Sequence, residues 1–270
     1  MTTTRCGLTD GEITSLAAAC GEDVDDLADE LARRPWAIND LLSEPDLVDS
    51  VLATGSLADS PTPFVLFAVL TRKAADDLLT STYVNDWIGP RSRLPVFDVE
   101  PMQEFVTAPG RVLFMARLLT SMVEPSSAPV PASGCNPWDL VDWLSAVSED
   151  ERLHVLRRVG DLSLYIAGVH ADAIGSGVLS PEKAEKVGTA LGMTSDEILD
   201  LSDAGSSSPG LDALEKVGAR SYQEARRGAA STPPVVSDIA ERIHSARRFL
   251  THLADSYLTP IDPNLPFAAA

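Results

Sequence analysis

Lysine, cysteine, aromatic residues and long apolar runs are all scarce in this chain. Its 270 residues include three cysteines, Cys6, Cys20 and Cys135. An odd count at such wide spacing gives neither a disulfide framework nor a C-x-x-C metal site, so small buried or inert thiols are expected. The four histidines, His154, His170, His244 and His252, form no H-E-x-x-H or H-x-H pattern, and no transition-metal site is read from them. No run of about 18 apolar residues is free of charge, which predicts no membrane-spanning helix. Met1 to Asp10 holds one Arg and no apolar centre, so no secretory signal is read and a cytoplasmic location is expected. G-x-G-x-x-G, Walker A, G-x-S-x-G and glycosidase-like carboxylate pairs are missing. Asp76-Asp77, within RKAADDLLTS, offers too few oxygen ligands for a cation box. These gaps lean against an enzyme.

Lysine numbers only four, against 17 arginines, 25 aspartates and 15 glutamates, for a net charge of -19. Excess Asp with scarce Lys suits multimolar salt, where charge is screened within about 3 Å at 1 M. A salt-loving source is the expectation; a GC-rich genome, which also favours Arg over Lys, is the alternative. Either way the acidity disfavours nucleic acid, whose affinity rests on neutralised phosphates.

What is present is helical periodicity in a chain of 44% hydrophobic residues, normal for a globular protein. The pattern predicts an all-α, multi-helix globule of roughly a dozen helices with few or no strands. Thr9-Asp10-Gly11-Glu12 and Ser148 with Glu151 read as capping boxes, and Thr194 and Ser180-Pro181 as further helix starts. Phe64 to Leu70 is apolar on every side, which marks a central helix. A single helix is expected over Val235–Leu258. Residues 90–99 look extended and irregular, and Thr82 to Arg93 (TYVNDWIGPRSR) reads as an aromatic, polar loop. The Pro/Ser/Ala-rich stretch over 124–135 is the best linker. It divides an N-terminal helical half (1–123) from a C-terminal one (136–270), with one compact domain favoured over two independent ones.

Three constellations could carry function. In RRVGDLSLYIAGVH, Arg157, Asp161 and Tyr165 recur every four residues and share a helix face. They could floor a ligand pocket with His170 as a haem or metal ligand or proton carrier. The favoured reading is instead a satisfied polar network between helices. His244, Arg248 and His252 form a second stripe that could receive a carboxylate or phosphate or pair with acids on a neighbouring helix. In the 82–93 loop, Tyr83, Asp86, Trp87 and Arg91 are of the types that dominate interfaces and form the best candidate for a partner-binding patch.

SPEKAEKVGTALGMTSDEIL, over residues 180–199, resembles the tri-helical unit of helix-turn-helix DNA-binding proteins. The resemblance covers about 20 residues and implies a transcriptional regulator using residues 180–203. Its would-be recognition helix carries Asp196, Glu197 and Asp200, which repel phosphate. The reading that emerges is a non-enzymatic regulatory or scaffold protein working through protein–protein contacts, with a homodimer as one form. A helical small-molecule or haem sensor and a transcriptional regulator are the alternatives. No cofactor is expected, haem being the exception that the sensor reading would require.

Overall fold

The computed structural model describes residues 8–54, 63–123, 137–144, 146–174, 177–203, 205–228 and 233–258. The linker read over 124–135, Cys6 and Cys135 lie outside them; Cys20 is a half-buried free thiol.

The chain is all-α. In order it forms α1 (Asp10–Cys20), α2 (Val24–Arg33), α3 (Ala37–Leu42), α4 (Pro45–Thr54) and α5 (Pro63–Thr80). A hairpin follows, β1 (Val84–Gly89) and β2 (Ser92–Val96), then α6 (Glu100–Val106), α7 (Pro109–Val123) and α8 (Pro137–Trp143). The remaining helices are α9 (Glu149–Val169), α10 (Ala171–Ile174), α11 (Pro181–Ala190), α12 (Ser195–Leu201), α13 (Pro209–Gly228), α14 (Pro234–Glu241) and α15 (Ile243–Leu253), with a closing π turn over Ala254–Leu258. The surplus over a dozen comes from α6, α10 and a break at Arg242. That residue has φ -118° and divides the helix expected over 235–258.

Two compact units emerge: residues 1–81, 106–125 and 255–269, and residues 82–105 and 126–254. In the first, α5 is the centre, and Phe64 to Leu70 are all buried, as a helix apolar on every side must be. Thr9 caps α1 in a box with Glu12. The same Glu12 carboxylate receives Arg117 of α7 at 2.7 and 2.8 Å, so one acid both caps a helix and ties it to its neighbour.

In the second unit α9 is the axis, packed along α13 and against α15 and α8. Ser148 and Glu151 form the expected capping box at its start. Small residues let the helices close. A Cβ on Gly160 would fall 2.6 Å from the ring of fully buried Tyr222, and one on Gly168 would fall 2.5 Å from Leu250 of α15.

The segment read as a loop over 82–93 is instead most of an antiparallel hairpin, pairing Val84 with Val96, Asp86 with Leu94 and Trp87 with Arg93. Register shifts between Trp87 and Gly89, a bulge that breaks the in–out alternation by which strands are recognised. The turn passes through Pro90 and Arg91, and Arg91 has φ +57°. Glycine or asparagine usually takes that conformation, which costs other residues roughly 1–2 kcal/mol.

Candidate functional site

All the candidate residues singled out in the sequence fall in the second unit, and the hairpin organises most of them. Asp86 and Trp87 turn inward rather than toward a partner. Asp86 lies 2.9 Å from Arg248 Nε and 3.6 Å from Arg247 Nη2, both arginine side chains being 6% exposed on α15. Arg248 also donates to the Asp98 carbonyl at 3.3 Å. Trp87 is buried with Ala167, Ala171, Leu211 and Leu214.

A second carboxylate, Asp172 of α10, gathers the rest of the hairpin. It accepts from the Trp87 indole at 2.8 Å, from the Arg91 backbone N–H at 3.0 Å and from Arg93 at 2.8 Å. The bond to the Arg91 amide helps to hold the left-handed turn. Burial pushes the Asp172 carboxyl up, but Arg93 and the two neutral donors outweigh it and hold it below its ordinary value.

A third acid, Glu215 of α13, receives Arg247 at 2.5 Å and lies 3.1 Å from His244 Nδ1. Burial alone would raise it; the bond and charge of His244 and Arg247 outweigh that and hold it below its ordinary value. The stripe of His244, Arg248 and His252 is thereby split. His244 shares Glu215 with Arg247, one turn along at i+3, while Arg248 serves Asp86. His252 is half-buried.

Outward, the hairpin shows large apolar side chains. Tyr83, Ile88, Leu94 and Phe97 are 50%, 53%, 51% and 74% exposed. Tyr83 and Phe97 meet with ring centroids 6.1 Å apart. β1 lies against α15, and β2 has β1 as its one strand neighbour among the described residues. The outer edge of β2 carries Leu94, Pro95 and, just beyond it, Phe97, all exposed.

The Arg157–Asp161–Tyr165 ladder is formed in part. Arg157 Nε binds Asp161 at 2.9 Å. The third member is Tyr222 of α13, whose hydroxyl donates to Asp161 at 2.9 Å and whose ring lies under the Arg157 guanidinium at 5.5 Å. Burial and the Asp161 charge hold the Tyr222 hydroxyl well above its ordinary pKa. Tyr165 turns instead to His170, 3.3 Å from hydroxyl to Nε2, and burial lowers the His170 pKa. A cavity of about 320 Å3 lies elsewhere, against Leu153, Leu156, Leu191 and Gly228. Among the described residues no three of His, Cys, Asp and Glu converge as a metal site, and no helix is long and apolar enough to cross a membrane.

α11 and α12 pack as a helical pair, with Gly192 at φ +63° between them and Thr194 capping α12 in a box with Glu197. α12 exposes Leu199 and contains no Arg or Lys. Asp172, Glu215, Arg93 and Tyr222 escaped sequence reasoning because their partners are 29 to 85 residues away. No family model, curated protein or solved structure matches the chain.

Proposed function

We propose that this is a non-enzymatic protein that works through protein–protein contact, with the outer edge of the 84–96 hairpin as its contact surface. One observation carries the reading. The hairpin is rooted in its unit by Asp86 on two buried arginines and by Asp172 on Trp87 and Arg93, while Tyr83, Ile88, Leu94 and Phe97 face solvent. Taking about 200 Å2 for each such side chain, these exposures leave about 450 Å2 of apolar surface, divided between the two faces of the ribbon. A standard interface buries about 800 Å2 on each partner, so a partner that wraps the outer edge and meets both faces draws about half of that area from these side chains. Rigid attachment limits the ordering cost of binding.

The test is a photo-crosslinking residue placed at Phe97 in the full chain, expressed in its source cell, with the same residue at exposed Trp36 as control. A discrete protein adduct at 97, absent at 36 and lost when Leu94→Asp is added, is the expected result. No adduct, or equal adducts at both positions, overturns the reading.

A further inference from the structure

We propose that the protein docked on the hairpin is a second copy of this chain, related by a two-fold axis near Leu94 and Pro95 that sets Arg91 of each protomer against Asp98 of the other. This rests on the contact reading above and goes further by naming the partner and its register.

The first ground is charge. Two chains of -19 repel. Residues 82–99 hold two acids, Asp86 and Asp98, and two arginines, Arg91 and Arg93, and so carry no net charge. Approach through this neutral stretch keeps the acidic surfaces farther apart than approach through an acidic face, and the Debye length of about 8 Å at physiological salt makes that separation effective.

The second ground is self-complementarity. A two-fold contact uses the same patch twice, so that residue i meets j and j meets i. Asp86 and Arg93 are already engaged inside the unit, with Arg248 and Asp172. That leaves Arg91 and Asp98, both exposed, one of each sign, at opposite ends of β2. The seven residue steps from one to the other span at most about 23 Å of extended chain. An axis at their midpoint, at Leu94–Pro95, brings each cation to the opposing anion and places Leu94 against its own copy.

The third ground is the edge itself. β2 has an outer side with no strand on it among the described residues, and an exposed edge flanked by apolar side chains invites another chain. Pro95 offers no N–H there, so at this residue the contact is made by side chains instead of by an extended ladder. Leu94 and the Tyr83–Phe97 ring pair supply the apolar part.

The experiment is sedimentation velocity on the full chain from about 1 to 200 µM in about 0.15 M salt. Wild type is expected to dimerise. Arg91→Asp and Asp98→Arg each place like charges together twice per dimer and should weaken association at least tenfold. The double variant should return to within about threefold of wild type. Oxidised Leu94→Cys should give a disulfide-linked dimer that wild type does not form. Asp tolerates the left-handed turn at 91 better than most residues and keeps the amide that Asp172 accepts from. The contact at 98 runs through its carbonyl, so neither change should disturb the fold, and a thermal melt checks this. A wild type that stays monomeric overturns the second-copy inference. So does a dimer indifferent to both charge reversals, or one that the double variant fails to restore while Leu94→Cys stays unlinked. A monomeric wild type whose position 97 still crosslinks to another protein leaves the contact reading standing; no adduct at 97 removes both.

Discussion

Removing the Asp172 carboxylate should loosen the hairpin without unfolding the helices, and the size of the effect follows from what each donor loses. The Trp87 indole N–H lies in a residue that is 7% exposed, among apolar neighbours. In Asp172→Ala it has no replacement partner, a loss of about 1–3 kcal/mol. The Arg93 ion pair is shared with water, since the Asp172 side chain is 41% exposed, and is worth about 0.2–1 kcal/mol. The Arg91 amide is exposed and can turn to solvent. Asp172→Ala should therefore cost about 2–3 kcal/mol of hairpin protection. Asp172→Asn, which keeps an amide oxygen for the indole and loses only the charge, should cost less than about 1 kcal/mol. Amide hydrogen exchange over residues 84–96, compared with exchange in α13, reads the effect. Because the folded pKa is depressed, the charged form of Asp172 contributes stability that is complete above about pH 4 and lost as pH falls through the lower folded value. Asp172→Asn should flatten that part of the acid limb. Equal protection in the Ala and Asn variants would refute the reasoning and leave Asp86 as the sole polar root of the hairpin.

Gly160→Ala should run against helix propensity. Ala normally gains up to about 1 kcal/mol over Gly in a helix, but here the new Cβ meets the Tyr222 ring at 2.6 Å. A net loss of about 1–3 kcal/mol by overpacking is expected in urea unfolding, and a gain would show that α9 and α13 can separate freely. Burial depresses the His170 pKa, so neutral His170 contributes stability that is present above about pH 6.5 and lost as pH falls through the folded value. Stability measured against pH should slope downward there, and His170→Gln should reduce the slope. Raising KCl from 0.1 to 2 M should raise the thermal midpoint by screening the -19 charge; a falling midpoint would contradict self-repulsion as the controlling force.

The helices were legible wherever one local signal agreed with another. Thr9 with Glu12 and Ser148 with Glu151 announce α1 and α9 by capping chemistry alone, and the boxes are made as written. The apolar run from Phe64 to Leu70 announces a buried helix because no face of it could be given to water. The hairpin was not legible. Its bulge after Trp87 removes the period of two, and Pro90, Arg91 and Pro95 read as breakers until Asp172 is seen holding the turn. Spacing of four identified Arg157 with Asp161, but a helix face does not say which neighbour lies across from it. Tyr222, 61 residues on, closes the network that Tyr165 was expected to close. The same ambiguity between three and four divided the α15 stripe, where Arg247 and not Arg248 joins His244 on Glu215.

The root of the hairpin also says why so much charge is buried there. Two arginines only 5–6% exposed face two carboxylates, and Arg247 Nη1 and Arg248 Nη2 still have no hydrogen-bond partner among the described residues. Burying such ions costs several kcal/mol each, and an apolar contact of the same shape would hold a strand to a helix more cheaply. What an apolar contact would not do is fix the register. Slipping β1 by one residue would turn Asp86 to the opposite face and leave Arg248 buried without a counter-charge, a loss of about 3–5 kcal/mol. Slippage is thereby opposed at the root, and with it any change in which residues of β2 point outward. The charged root thus fixes which side chains of β2 face solvent, with Leu94 exposed on the strand and Arg91 and Asp98 just beyond its two ends.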